Sequence, residues 1–250
     1  MKRKNNLLSV YFTAGFPELE STIPVLKALE AGGTDFVEIG MPYSDPLADG
    51  PVIQNSSTRA LKNGMSIKVL FDQLKNVTST VKMPLVLMGY LNPILKFGIE
   101  EFIEKCRKTG ISGLIIPDLP YESYLEKYEP LFTEKKISNI FLITPQTPEE
   151  RIRKLDKAST SFLYMVSSAA VTGARDGLST QQIEYFERIN TLELKTPRMV
   201  GFGISNHETY RQVCQYAHGA IVGSAFIKHL EQNGDNRESI IEFIKKLKYG

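Results

Sequence analysis

Eight short runs rich in apolar and β-branched residues recur along the chain, and between them lie longer segments of helical period. The runs are residues 8–13, 36–40, 85–90, 113–117, 139–144, 162–167, 199–203 and 220–223. The intervening segments include "STIPVLKALEAGG", "SIKVLFDQLKNV", "IEEFIEKCRKTG", "ESYLEKYEPLFTEKK", "PEERIRKLDKAS", "LSTQQIEYFERI" and "NHETYRQVCQYA", and the chain closes with "ESIIEFIKKLK". Each places apolar residues three and four apart with charges between them, the pattern of a helix with one buried face. Eight strand–helix units in 250 residues predict an α/β fold of the (β/α)8 TIM-barrel type, as one domain spanning residues 1–250. A doubly wound open sheet is the alternative. Connections are short, and no low-complexity linker divides the chain.

Composition narrows the class of function. Hydrophobic residues make up 42%, enough for a sizeable core. The 30 basic and 28 acidic residues are interspersed and give a net charge of +2, which argues against nucleic-acid binding. Lys2-Arg3-Lys4 reads as a solvated terminus. No apolar run reaches transmembrane length, and no secretory h-region follows the basic start. Cys106 and Cys214 are far apart and read as buried, reduced thiols. A soluble cytoplasmic enzyme is expected.

One stretch, "FVEIGMPYSDPLADGP" at 36–51, poses a chemical question. Strand alternation puts Val37 and Ile39 on one face and Phe36, Glu38 and Gly40 on the other. If the first face meets the helices, Glu38 points into the barrel near the rim where catalytic groups stand. A carboxylate buried there must be hydrogen-bonded, neutralised or used. No Arg or Lys lies within a strand run to pair with it. In the following loop Asp45 precedes Pro46 and reads as a turn-former; Asp49 before Gly50 is open to either a turn or a functional role.

Glycine motifs gather late in the chain: "VTGARDG" after the sixth run, "GFGIS" at the seventh, and "GSAF" after the eighth, opening a helix. Glycine lets backbone N–H groups approach an anion, and a helix N-terminus favours negative charge. "AFIKHLEQNG" fits the short extra helix that accompanies phosphate sites in barrels. Each glycine alone is equally a turn residue.

Taken together, "EIGMPYSDPLADGPVIQ", "LMGYLNP", "IIPDLP", "VTGARDG", "GFGIS" and "IVGSAF" resemble the tryptophan synthase alpha subunit family over nearly the whole chain. The resemblance implies retro-aldol cleavage of indole-3-glycerol phosphate to indole and glyceraldehyde 3-phosphate. It implies Glu38 as the catalytic acid/base and Asp49 as the carboxylate that stabilises charge on the indole nitrogen. Tyr11, Tyr164, Thr172 and Phe202 fall at substrate-binding positions, and Gly173, Gly203, Gly223 and Ser224 at phosphate-binding ones. Tyr11 is also readable as ordinary barrel filling. No cofactor or metal is implied for this chain, and pyridoxal phosphate is expected in a beta subunit, its partner in an alpha2-beta2 heterotetramer. Two departures stand out. The segment before the first strand is short, so an N-terminal helix common in the family is reduced or missing. Ala170 stands where glycine is frequent, which implies a stiffer loop after the sixth strand.

Other phosphate-binding barrels are the rivals. A metal-dependent epimerase needs histidines at strand ends, yet His207, His218 and His229 fall late, in helix-like segments or at a helix end. A Schiff-base aldolase needs a strand-end lysine, and none is offered. A non-catalytic activator of a beta subunit has no need of both Glu38 and Asp49. For partner docking, the apolar groups Ile94, Leu95 and Leu119 in rim loops are candidates, unless they pack on the chain's own helices.

Overall fold

In the computed structural model, residues 5–46, 49–167, 177–201 and 203–250 are described. Eight parallel strands close into a barrel in chain order, β1 (Leu7–Thr13), β2 (Phe36–Gly40), β3 (Leu85–Met88), β4 (Ile111–Ile115), β5 (Ser138–Ile143), β6 (Leu163–Val166), β7 (Arg198–Gly201) and β8 (Gly219–Val222). The fold is thus the expected TIM barrel. All of β1 and β2 is buried, which is why these runs read as almost continuously apolar: the barrel covers one face and the helices the other.

Register fixes which side chains share the interior. Tyr11 pairs with Glu38, Glu38 with Val86, and Thr13 with Gly40, so these point the same way. Leu142 pairs with Tyr164, Tyr164 with Met199, and Val166 with Gly201 on the far side. The rings of Phe36 and Phe162 meet at 5.3 Å between centroids, one strand step below Glu38 and Tyr164. They fill the barrel's lower layer, each buried ring contributing about 1.5–3 kcal/mol. Glu38 is therefore perched on an apolar floor.

The helices form where period and caps agree. Ser66, Ser179, Asn206 and Asn236 each accept a backbone N–H at a helix start, and two of these, Ser179 with Gln182 and Asn206 with Thr209, complete capping boxes. The last helix, Arg237–Tyr249, lies on the first, Thr22–Gly32. A Cβ at Gly32 would come within 2.9 Å of the Ile244 Cβ, so the close approach of the two helices requires glycine.

Several boundaries depart from the sequence reading. β4 begins earlier than residue 113 because the register slips between Leu85 and Val86: Ser112 is the extra residue, exposed, with its hydroxyl bonded to the Leu85 carbonyl at 2.9 Å. The bulge interrupts the alternation and hid the strand's start. β3 stops at Met88, and Gly89 and Tyr90 turn out over the rim. β7 opens on Arg198, whose Nη2 bonds the Asn190 side chain at 2.9 Å; it does not share the inward face with Met199. A helix at Pro51–Lys62, not anticipated, follows the β2 loop directly. "SIKVLFDQLKNV" is broken, with one helix at Ile67–Leu74 and a short one at Val77–Thr80. Among the described residues no helix precedes β1.

Candidate active site

Glu38 sits in mid-β2 with no exposed surface, and neither carboxyl oxygen has a hydrogen-bond partner. An ionised carboxylate so placed lacks both solvent and donors, so burial pushes its pKa up to about 8. The group is protonated at neutral pH. Such an unsatisfied buried polar group needs a reason, and a site awaiting a reactant supplies one.

Two tyrosines flank it. Tyr11 and Tyr164 are both buried, and burial is the main cause holding each phenol above its ordinary pKa; the charges of Glu38 and Asp49 add to that for both rings. The four groups therefore share one electrostatic environment. Glycine makes room for the rings. A Cβ at Gly40 would lie 2.1 Å from the Tyr11 hydroxyl oxygen, and one at Gly201 would lie 2.0 Å from that of Tyr164. Each phenol thus crosses over a glycine at the end of the neighbouring strand.

Asp49 comes from the loop after β2. It is partly buried, and its Oδ2 accepts a hydrogen bond from the Tyr90 hydroxyl at 3.2 Å. Burial raises its pKa and the Tyr90 bond opposes the rise. The Tyr90 ring packs at 5.3 Å on Tyr43, whose hydroxyl accepts from the Asn92 amide at 3.3 Å. Tyr90 is a residue beside the candidate site that the sequence reading missed; its signal was the "GYLNP" motif, where Gly89 directly follows the strand end and the next side chain comes over the rim. Asp45 is exposed and accepts from the Ser44 hydroxyl beside it, as a turn residue does.

The glycines expected to meet an anion lie at the ends of β7 and β8. Gly223 caps the N-terminus of the helix Ser224–Asn233, whose first backbone N–H groups have no partner within the helix. A Cβ at Gly223 would lie 3.7 Å from the Tyr11 Cβ, so the base of the Tyr11 ring adjoins this helix start while its hydroxyl reaches Gly40. Ser224 is exposed there. Gly203 has φ +79°, a conformation that favours glycine. The helix after β8 is the short extra one expected. Thr172, Gly173 and Phe202, together with Ala170, lie outside the described residues.

The remaining titratable groups stand apart. His207 bonds the Leu247 carbonyl at 3.0 Å, His218 accepts from the Arg198 N–H at 3.2 Å, and His229 pairs with the Ser239 hydroxyl at 2.9 Å. His218 enters β8 and is not at a helix end. Among the described residues no group of three or more His, Cys, Asp or Glu is placed to hold a metal. Cys106 is buried and Cys214 half-buried, both free thiols.

A family model described as tryptophan synthase alpha chain matches residues 1–248. The tryptophan synthase alpha chain of Christiangramia forsetii is 54% identical over 248 residues, covering 99% of this chain and 96% of that one. That of Flavobacterium psychrophilum is 53% identical over 247 residues, with 99% and 97% covered. Among solved structures, the tryptophan synthase alpha subunit of Pyrococcus furiosus superposes with a TM-score of 0.89 at 33% identity, covering 98% of each chain. Tryptophan synthase from M. tuberculosis, in an aminoacrylate-bound form, gives 0.84 at 28% identity, covering 97% of this chain and 92% of that one.

Proposed function

Because the chain belongs to the tryptophan synthase alpha chain family, we propose that the rim of its barrel is the site where Glu38 and Asp49 carry out the family's reaction. That reaction is the retro-aldol cleavage of indole-3-glycerol phosphate to indole and glyceraldehyde 3-phosphate, a lyase step in tryptophan biosynthesis. It needs no cofactor in this chain; pyridoxal phosphate belongs to the beta subunit.

The step requires a proton added to the indole ring carbon that carries the side chain, and a proton removed from the adjacent glycerol hydroxyl. Glu38, protonated at neutral pH, gives the first proton. The ring nitrogen then becomes cationic, and the Asp49 carboxylate accepts its N–H and stabilises that charge. Glu38, now ionised, takes the hydroxyl proton. The carbon–carbon bond breaks, its electron pair returns to the ring, and the aldehyde and neutral indole leave. Two carboxyls with different surroundings thus take different roles. Tyr11 and Tyr164 present flat faces to the indole, with Thr172 and Phe202 as further substrate contacts. Gly173, Gly203, Gly223 and Ser224 grip the phosphate.

The observation that carries the assignment is the Glu38 carboxyl, fully buried on an apolar floor with both oxygens unpartnered. Glu38→Gln should lower indole release by at least ~100-fold, the lower bound expected of a general acid/base, while circular dichroism stays native. A variant keeping more than about a tenth of the rate would remove Glu38 from that role.

The family pairs with a beta subunit. The alpha2-beta2 heterotetramer is the assembly proposed for this chain. We also propose that residues 1–250 act as one barrel domain, supported by the packing of the last helix on the first. Residence in the cytoplasm belongs to the same proposal, and the two free thiols suit a reducing compartment. No helix among the described residues is long and apolar enough to cross a membrane.

A further inference from the structure

Asp49 lies on a loop, yet a catalytic carboxylate must be held to a fraction of an ångström. The chain solves this with the helix that starts two residues later. Gln54, in its first turn, donates its amide to the Asp49 carbonyl at 2.9 Å and to the Pro46 carbonyl at 3.4 Å. The Gln54 N–H bonds the Gly50 carbonyl at 3.0 Å. Asp49 is thereby fastened to the helix front, and its place depends on what fixes Pro51–Lys62 itself.

The outer end of that helix is tied to the loop after β1. Asn63 donates to the Gly15 carbonyl at 3.0 Å and the Pro17 carbonyl at 2.9 Å, and Arg59 pairs with Glu18 at 3.0 Å. Among the described residues one side-chain bond joins the helix to the barrel wall. The Ser56 hydroxyl, 1% exposed, meets the Thr13 hydroxyl at 2.6 Å. The Ser56 hydroxyl also reaches the Ile53 carbonyl at 2.8 Å, and either hydroxyl can donate in the Thr13–Ser56 pair. Thr13 ends β1 on its inward face, level with Gly40. The bond thus references the helix carrying Asp49 to the same rim layer that frames Glu38 and Tyr11.

We propose that Ser56 is a positioning residue for the cleavage reaction: its hydroxyl, bonded to Thr13, sets the depth at which the helix holds Asp49 over the barrel. The proposal rests on the role given to Asp49 above. A merely structural serine would change stability and leave the chemistry untouched, whereas a positioning one changes turnover through Asp49.

The test measures kcat and KM for indole release by the full chain, with thermal unfolding midpoints alongside. Ser56→Ala and Thr13→Val each remove the bond, the second also removing the Thr13 bond to the Tyr11 hydroxyl, so Ser56→Ala is the decisive variant; Thr13→Ser keeps the hydroxyl. Ser56→Ala and Thr13→Val should lower kcat about tenfold, a fraction of the loss expected from ångström-scale misplacement, with KM within about twofold. Thr13→Ser should hold kcat within about twofold of the parent. With Asp49→Asn in place, Ser56→Ala should cost no further activity, because both act through one group. Unchanged kcat in Ser56→Ala and Thr13→Val while Asp49→Asn is impaired would overturn the positioning role and leave Asp49 intact. The same tenfold loss on top of Asp49→Asn would overturn it as well, since Ser56 would then act elsewhere. Full activity of Asp49→Asn would remove the role of Asp49, and the proposal with it.

Discussion

Glu38 stores free energy in a form that can be measured without substrate. In the unfolded chain its carboxyl ionises near its ordinary value of 4.5, but in the folded barrel burial holds the proton up to about 8. Between those values the unfolded chain binds fewer protons, so this group's contribution to stability is fully present below 4.5 and is lost as pH rises through 8. A neutral amide has no such dependence. Glu38→Gln should therefore gain stability over the parent as pH rises, by on the order of 3 kcal/mol between about pH 5 and 8. Denaturant midpoints of both proteins at the two pH values check it, and parallel curves would show that Glu38 is not buried in the neutral form. In the role proposed for Glu38 the same proton sets activity. kcat/KM should fall on the alkaline side with a midpoint near about 8, as the acid form of Glu38 is lost. It should fall on the acid side where Asp49, raised by burial, becomes protonated. Loss of the alkaline limb in an enzyme that stays folded would separate Glu38 from proton donation.

Strands and helices show which parts of this site the sequence could reveal. The eight runs and the inward face of Glu38 were legible because parallel strands buried on both sides read as apolar runs, and alternation then fixes direction. The helix Pro51–Lys62 was hidden inside a motif that reads as loop, although Pro51 directly after Gly50 is a helix-start signal. The Ser112 bulge was hidden because one inserted residue breaks the alternation. The Tyr90–Asp49 and Thr13–Ser56 bonds join residues 41 and 43 apart, and local pattern carries no trace of such pairs. Ring placement was equally silent: Tyr164 pairs with Met199, and its ring leans diagonally onto Gly201, two residues further along β7. That close approach makes a prediction about the strand. Gly201→Ala would set a methyl 2.0 Å from the Tyr164 hydroxyl oxygen and closer than 3 Å to the ring itself, so the ring must move. The variant should lose about 1–3 kcal/mol of stability from overpacking. Indole release should fall roughly tenfold or more as the aromatic wall shifts. Parent-like stability and turnover together would show that the ring relocates freely and does not shape the pocket.

At the scale of the molecule, the barrel's rim is the proposed place of the reaction and the proposed docking surface for the beta subunit with which the family pairs. Of the apolar rim groups considered for docking, Ile94 is fully buried and Leu119 is 9% exposed, so both pack within the chain. Leu95 is different: it is 46% exposed, on the helix Leu91–Phe97 that begins beside Tyr90. Leu91 at the start of that helix is held by the Asp118 carboxylate at 2.9 Å, which ties the β3 and β4 loops into one surface. Tyr90 in turn donates to Asp49. A partner that covers Leu95 therefore presses on the segment that hydrogen-bonds the catalytic loop, and binding there is coupled to turnover through a short path. Leu95→Asp places a charge where an apolar contact is expected, on a side chain already 46% exposed. It should weaken association with the beta subunit by roughly tenfold or more, as loss of one buried apolar anchor at about 1.4 kcal/mol or above does. Indole release by the free alpha chain should be unchanged, and stimulation by saturating beta subunit should return at higher partner concentration. Titration of indole release against beta subunit, with complex size followed by sedimentation, measures both quantities. Equal affinity of Leu95→Asp and the parent would move the docking surface away from this helix and break the proposed link between docking and Asp49.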